Sequence, residues 1–257
     1  MTETSYHPNP ARIEPDDRLV ILARTIEAPD DRAERALRDD TLNWGRFGRG
    51  CLGQALYRHG SVHRSASDAP VWSHFELGYF RNSVPAEVIR DLVTGPDPAE
   101  TGLLRAEILL PTPSSFVLPR DWAGSADRPE WRASLEYIDV HPRSLGDYRD
   151  AMRDFCGPAA AKLVGAGRFG TFRAMETAAV LYHAPDFDID WNQVHLCELD
   201  PERFEGFGRE FEAALRGDAP DGAFADLARM RTVPRWTFND AVVGADSALA
   251  AGYGPMP

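Results

Sequence analysis

The sequence predicts an α+β protein in which one β-α-β-β-α-β unit is written twice. Two observations carry this. The tetrapeptide Gly-Arg-Phe-Gly occurs at Gly45 to Gly48 and again at Gly167 to Gly170, each time between a predicted helix and a predicted strand. Further markers follow each copy in the same order: Leu56-Tyr57-Arg58-His59 against Leu181-Tyr182-His183, then Trp72 to Leu77 against Trp191 to Leu196. The spacing between paired markers drifts by only a few residues, as loop insertions between fixed elements would produce.

Residues 1–17 carry Pro8, Pro10 and Pro15 with little apolar content and are expected to form a flexible arm. The first unit is expected over 18–110. Leu19 to Ala28 is aliphatic and β-branched, hence a strand; Pro29-Asp30-Asp31 then supplies a helix start with acids in the first turn, and Gly45 ends that helix. A second strand is read over Leu52 to His59, a polar loop over Ser61 to Pro70, and a third strand over Val71 to Arg81. Pro85 opens a second helix that ends near Gly95, and Leu103 to Leu110 makes a fourth strand. Residues 111–129, with four prolines, read as a linker.

The second unit, 130–240, repeats the order. Trp131 to Val140 is a strand, and Ser144 with Asp147 three residues on approximates a capping box. The helix meets a break at Cys156-Gly157-Pro158. Phe169 to His183 is a long strand and Trp191 to Leu199 the next. Asp200-Pro201-Glu202 starts a helix whose apolar stripe is Phe204, Phe207, Phe211 and Leu215. Ala228 to Phe238 is the last strand, and 241–257 a loose or docking tail.

This order is the split βαβ, or ferredoxin-like, unit. Each sheet has helices on one face and needs a cover on the other, for which the partner sheet is the obvious candidate. Over Leu19 to Phe238 the chain therefore resembles the dimeric α/β-barrel superfamily, in which two such units pack sheet to sheet. Families of this architecture that it looks like include antibiotic-biosynthesis monooxygenases, EthD-like and NIPSNAP-like proteins, bacterial chalcone isomerase, chlorite dismutase and aldoxime dehydratases. They share a fold and differ in chemistry, so the fold does not choose among them.

Composition narrows the classes. The 257 residues carry a net charge of −12 with no dense cationic block, which argues against nucleic acid. No run is long and apolar enough for a membrane span, and the N-terminus lacks a signal peptide's apolar segment, so a cytoplasmic protein is expected. Lys162 is the only lysine, confining amine chemistry to one side chain. Cys51, Cys156 and Cys197 are widely spaced and suggest neither a disulfide framework nor a zinc knuckle. A small-molecule substrate is the expected partner, and a homo-oligomer stays open.

Laying the two third strands over each other aligns Trp72 with Trp191, His74 with Gln193, Glu76 with His195 and Gly78 with Cys197, all on one face. Such a face could form a polar pocket in an aromatic-walled cavity, or a half-solvated seam whose polar groups satisfy one another. On the first reading His74, Glu76 and His195 are the acid-base set, and Trp72, Trp191, Gln193 and Tyr137 bind substrate. Arg173, opposite in parity to Glu176, is a candidate for a carboxylate or oxyanion, or for a structural ion pair. Asp139 and His141 share the face of Tyr137, and Arg229, Arg231 and Arg235 alternate as a cationic row. Both Gly-Arg-Phe-Gly copies read as helix-to-strand turns with a left-handed glycine.

No flavin or nicotinamide fingerprint is present. A metal at His59, His63 and His74 is conceivable, but two of these flank a loop. Haem, the alternative that the resemblance brings, would need His183, His195 or Cys156 as axial ligand, because the predicted helices contain no histidine. The reading is a cofactor-independent enzyme moving protons on an aromatic or polycyclic molecule, by isomerisation, cyclisation, elimination or oxygenation. A dehydratase-like haem enzyme and a non-catalytic ligand-binding protein are the alternatives.

Overall fold

The computed structural model describes residues 10–65, 72–94, 101–122, 131–200, 206–216, 222–246, 248–249 and 253. A short strand, β1 (Ala11–Arg12), precedes β2 (Leu19–Ile26), β3 (Cys51–Ser65), β4 (His74–Arg81) and β5 (Leu103–Leu118), and the last four lie side by side in the order β5-β2-β4-β3. In the second half β6 (Arg132–Val140), β7 (Thr171–His183), β8 (Gln193–Leu199) and β9 (Arg231–Ala245) lie in the order β9-β6-β8-β7. Because β3 also pairs with β9, and β5 with β7, β2 to β9 close on themselves as an antiparallel barrel. The halves are thus joined edge to edge as well as face to face. The long strands β3, β5, β7 and β9 outrun their neighbours, and their surplus length pairs across the seam.

The helices lie outside. α1 (Asp31–Leu42) and α2 (Ala86–Thr94) cover the first half; α3 (Leu145–Ala151) passes through a π turn at Met152–Cys156 into α4 (Gly157–Gly165), and α5 (Phe207–Arg216) and α6 (Ala223–Met230) complete the second. Asp30 caps α1 as its position implies, its carboxylate accepting from the Arg32 and Ala33 amides at 3.0 and 2.8 Å. Ser144 makes no such cap. Period-two alternation sorts the strands: Phe75, Leu77, Val194 and Leu196 fill the barrel, while Phe80, Cys197 and Leu199 face the helices. No helix among the described residues is long and apolar enough to cross a membrane.

Several expected boundaries move. The arm is tied down from Ala11, which pairs with Leu118, and Ile13 is fully buried. The expected linker is strand as far as Leu118, with Pro111 and Pro113 accommodated where the β5–β7 register shifts, since neither ring nitrogen can donate. The expected loop after His59 is strand to Ser65, held by β9. Residues 241–245 belong to β9, and Asp246 and Leu249 beyond it are buried, so the tail is not loose there. The helix start at Asp200 to Glu202 lies largely outside the described residues; α6 occupies part of the expected last strand.

Candidate active site

A cavity of about 540 Å³ lies between the outer face of β2, α1, α2 and the 3₁₀ stretch Asn43–Gly50. It exists because α1 presents small or short side chains inward: Ala33, Ala36, Leu37 and Asp40 recur at helical spacing and line it, and only Thr41 of the helix is buried. Trp44 and Phe47 of the 3₁₀ stretch form aromatic wall. Trp44 packs against β4, where an added Cβ on Gly78 would fall 1.8 Å from its ring. In the second half, by contrast, Ala159, Ala160, Ala161, Leu163 and Val164 of α4 are all buried.

The polar head of the cavity is built on Arg24. Its Nε donates to Glu76, its Nη2 to Asp40 Oδ2 at 2.9 Å, and its guanidinium stacks over Trp44 at 5.0 Å. Thr41 Oγ1 donates to the other Glu76 oxygen at 2.6 Å, and Arg46 stands 3.8 Å from Asp40 Oδ1. Burial works against the Arg24 charge, but Glu76 and Asp40 outweigh it and its pKa is raised, so the guanidinium stays ionised. Asp40, 41 % exposed, is the reachable carboxylate; Glu76, fully buried behind Arg24, is not.

The expected acid-base set does not assemble. His74, Glu76 and His195 have helix-facing parity, and β4 and β8 stand on opposite walls, with three strands between them in either direction. His74 lies under α1 with Nδ1 2.8 Å from Ser73 Oγ and Nε2 3.8 Å from Glu34, and burial lowers its pKa, with Glu34 opposing and Arg58 reinforcing the shift. His195 lies under α3, its Nε2 3.3 Å from Tyr148 Oη and its Nδ1 3.8 Å from Glu136; burial and then Arg231 push its pKa well down. Gln193 shares the His195 face, with Oε1 accepting from Thr112 at 3.1 Å. The parity these four share was legible; that it points away from the barrel, and that Trp72 and Trp191, expected on the same face, turn to the interior, was not.

Trp72, Trp191 and Tyr137 do meet, but inside the barrel. Trp72 Nε1 donates to Tyr137 Oη at 3.2 Å, and the two indoles stand 5.5 Å apart with Phe187 against both. They are packed core, so their expected role as pocket walls is not supported by their position. Arg173 is also interior, donating to Tyr79 Oη at 2.5 Å and pairing with Glu198 at 3.1 Å and Asp246 at 2.7 Å. It is the structural ion pair among its two readings. Glu176, on the other face, pairs outside with Arg149.

The cationic row dissolves. Arg229 is on α6; Arg231 faces α3 and contacts Glu136 and Tyr148; Arg235 is inside the barrel, 5.4 Å above Trp72, because the β6–β9 register shifts between Tyr137 and Asp139 and inverts parity. Asp139 accepts from Asn192 at 3.2 Å, while His141 is exposed. The two Gly-Arg-Phe-Gly copies have diverged. Gly167 takes the left-handed conformation at φ 65° and Phe169 enters the core, whereas Arg46 and Phe47 of the first copy line the cavity. Reading that copy only as a turn misses two wall residues, and the alanine stripe on α1 was the available signal.

Among the described residues no group of three or more His, Cys, Asp or Glu side chains could hold a metal ion. The cavity does not suit haem: its lining includes no His, Cys, Met or Tyr to act as axial ligand. Both ring nitrogens of His195 face protein groups, His183 is exposed with Nδ1 3.2 Å from the Ala184 carbonyl, and burial pushes the Cys156 thiol up to about 12.

No protein-family model matches the chain, and no curated protein sequence matches it. Solved structures do share its architecture. An anthrone oxidase-like protein superposes with a TM-score of 0.54 at 10 % identity, over 91 % of this chain and 96 % of that one. A protein provisionally named a monooxygenase, from Fusobacterium nucleatum subsp. nucleatum, gives a TM-score of 0.53 at 8 % identity, over 88 % and 94 %. At such identities the likeness concerns the fold: a closed antiparallel barrel with outer helices, similar to dimeric α/β-barrel folds.

Proposed function

We propose that the chain is a tandem pair of ferredoxin-like units whose first half is a cofactor-independent enzyme site, moving a proton on an aromatic or polycyclic carbon acid held in the cavity beneath α1. The duplication is supported by the matching strand orders of the two halves and by the ladder position shared by the Arg24–Glu76 and Glu136–His195 pairs. The catalytic reading rests on one observation: an accessible carboxylate, Asp40, hydrogen-bonded to an ionised guanidinium, Arg24, at the head of an otherwise largely apolar cavity. Asp40 replaces the expected set of His74, Glu76 and His195.

The chemistry follows from that pair. Asp40 takes a proton from a carbon next to a substrate carbonyl; the C–H pair becomes a C=C bond as the carbonyl π pair moves to oxygen, giving an enolate stabilised by Arg24. Before transfer, Arg24 is shared between Glu76 and Asp40. Once protonated, Asp40 is neutral, and more of the Arg24 charge becomes available to the new oxyanion. Return of the proton to another carbon completes an isomerisation, and departure of a β-substituent an elimination. Glu76, held by Thr41, is a positioning residue that fixes the guanidinium plane.

The test is exchange of the benzylic protons of 2-tetralone into D2O, followed by proton NMR above the buffer rate. Asp40→Asn should abolish the protein-dependent exchange, and Ala33→Phe, which fills the cavity, should reduce it. Exchange at the buffer rate in the unaltered protein, or exchange indifferent to Asp40→Asn, overturns the proposal.

A further inference from the structure

We infer that the cavity takes an uncharged, flat ring compound bearing a carbonyl oxygen, and discriminates against carboxylates and ammonium groups. This rests on the reading of the cavity as the binding site. The head of the cavity carries its own counter-charges: Arg24 and Arg46 are set against Asp40 and Glu76, all linked by the contacts described above. A ligand carboxylate would bring a third negative charge beside Asp40 and Glu76, which already share the Arg24 guanidinium. Asp91 on the α2 side of the cavity adds a further negative group, and the chain as a whole stands at −12. At the head, a ligand ammonium would instead meet two guanidinium groups that already occupy Asp40 and Glu76, which leaves Asp91 as the carboxylate of the lining it could pair with.

A neutral acceptor meets neither obstacle. The hydrogen bonds of Arg24 engage Nε and Nη2, leaving the Nη1 hydrogens without a partner among the described residues, on a side chain that is 14 % exposed and lines the cavity. A carbonyl oxygen accepts from such a donor without displacing an ion pair. The ring lies against Trp44 and Phe47, with Ile26, Leu37, Val88 and Leu92 as apolar surroundings. Burying a charged group here without a matched counter-ion costs more than burying a carbonyl that finds a hydrogen bond.

Calorimetric titration with three probes of similar size tests this: 2-tetralone, 2-naphthoate and protonated 2-naphthylmethylamine. The ketone should bind roughly tenfold or more tighter than either ion, a margin set by the cost of an unmatched buried charge. Ala33→Phe and, at the more exposed rim, Ala36→Phe should each weaken it, the second guarding against a folding defect in the first. Either ion binding as tightly as the ketone, and being excluded by the filled variants, overturns the charge selectivity while leaving the site in place. Ketone binding unchanged in both variants overturns the cavity as the site, and absence of binding by all three probes overturns both.

Discussion

Arg24 stands directly across the β2–β4 ladder from Glu76, and in the second half Glu136 stands in the same place across the β6–β8 ladder from His195. The same pair of ladder positions thus holds a cation facing an anion in one half and an anion facing a histidine in the other. Around the first pair a helix stands off and a cavity opens; around the second, Tyr148 and Arg231 close in and the space is filled.

Because Glu76 is fully buried behind Arg24, replacing Arg24 alone strands a carboxylate. Arg24→Met is expected to cost about 3–5 kcal/mol of unfolding free energy, while Arg24→Met with Glu76→Leu should recover most of it, since an apolar pair carries no desolvation penalty. Chemical denaturation of the wild type, the single and the double variant decides this; equal losses in both would refute the coupling.

Gly78 makes room for the Trp44 ring. A Cβ 1.8 Å from Trp44 Cζ3 forces the indole off the sheet and toward the cavity, so Gly78→Ala should destabilise by about 1–3 kcal/mol and shrink the cavity. A shifted tryptophan emission that is absent when Trp44→Phe is combined with Gly78→Ala would identify the moving ring; unchanged stability and emission would count against it.

His195 is held neutral by burial, with Arg231 adding to the effect, so its folded pKa lies below its unfolded value near 6.5. Below that value the unfolded chain binds more protons than the folded one, and stability falls as pH drops from about 6.5 toward the folded pKa. His74 shifts in the same direction. Denaturation midpoints between pH 7.5 and 5 should decline in the wild type and decline less in His195→Gln; identical slopes would exclude His195 as a contributor.

Asp246 binds the segment after β9 to the barrel interior, through Arg173 at 2.7 Å and Trp122 Nε1 at 3.1 Å. Asp246→Ala removes a charged partner from a buried arginine that retains Glu198, so a loss on the order of 1.5–3 kcal/mol is expected. Faster hydrogen exchange confined to the end of β9 and the start of β7 should accompany it. A stability within 0.5 kcal/mol of wild type, roughly the range of ordinary surface substitutions, would contradict the clasp.

The order of elements was legible because its signals are local: Asp30 as a cap, Pro85 before α2, apolar alternation on β4 and β8. The fate of the polar face was not. Nothing in the alternation of His74, Glu76, Gln193 and His195 says which side of a strand will be enclosed, because helices cover one face and barrel closure the other, and each asks for the same period of two. Arg235 shows the same limit, since a register shift beside it inverts the parity that its spacing from Arg231 implies.

By itself the sequence determined the α+β class and most of the order of strands and helices, because propensity, capping and periodicity act over a few residues. Only the tertiary structure decided that the long strands pair across the seam, that the aromatic trio of Trp72, Trp191 and Tyr137 is core, and that the open space lies under α1. Those outcomes depend on contacts between segments far apart in the chain. A cavity in particular is a property of what neighbouring elements fail to fill: Ala33 and Ala36 leave room only because α1, Trp44 and α2 are held where they are.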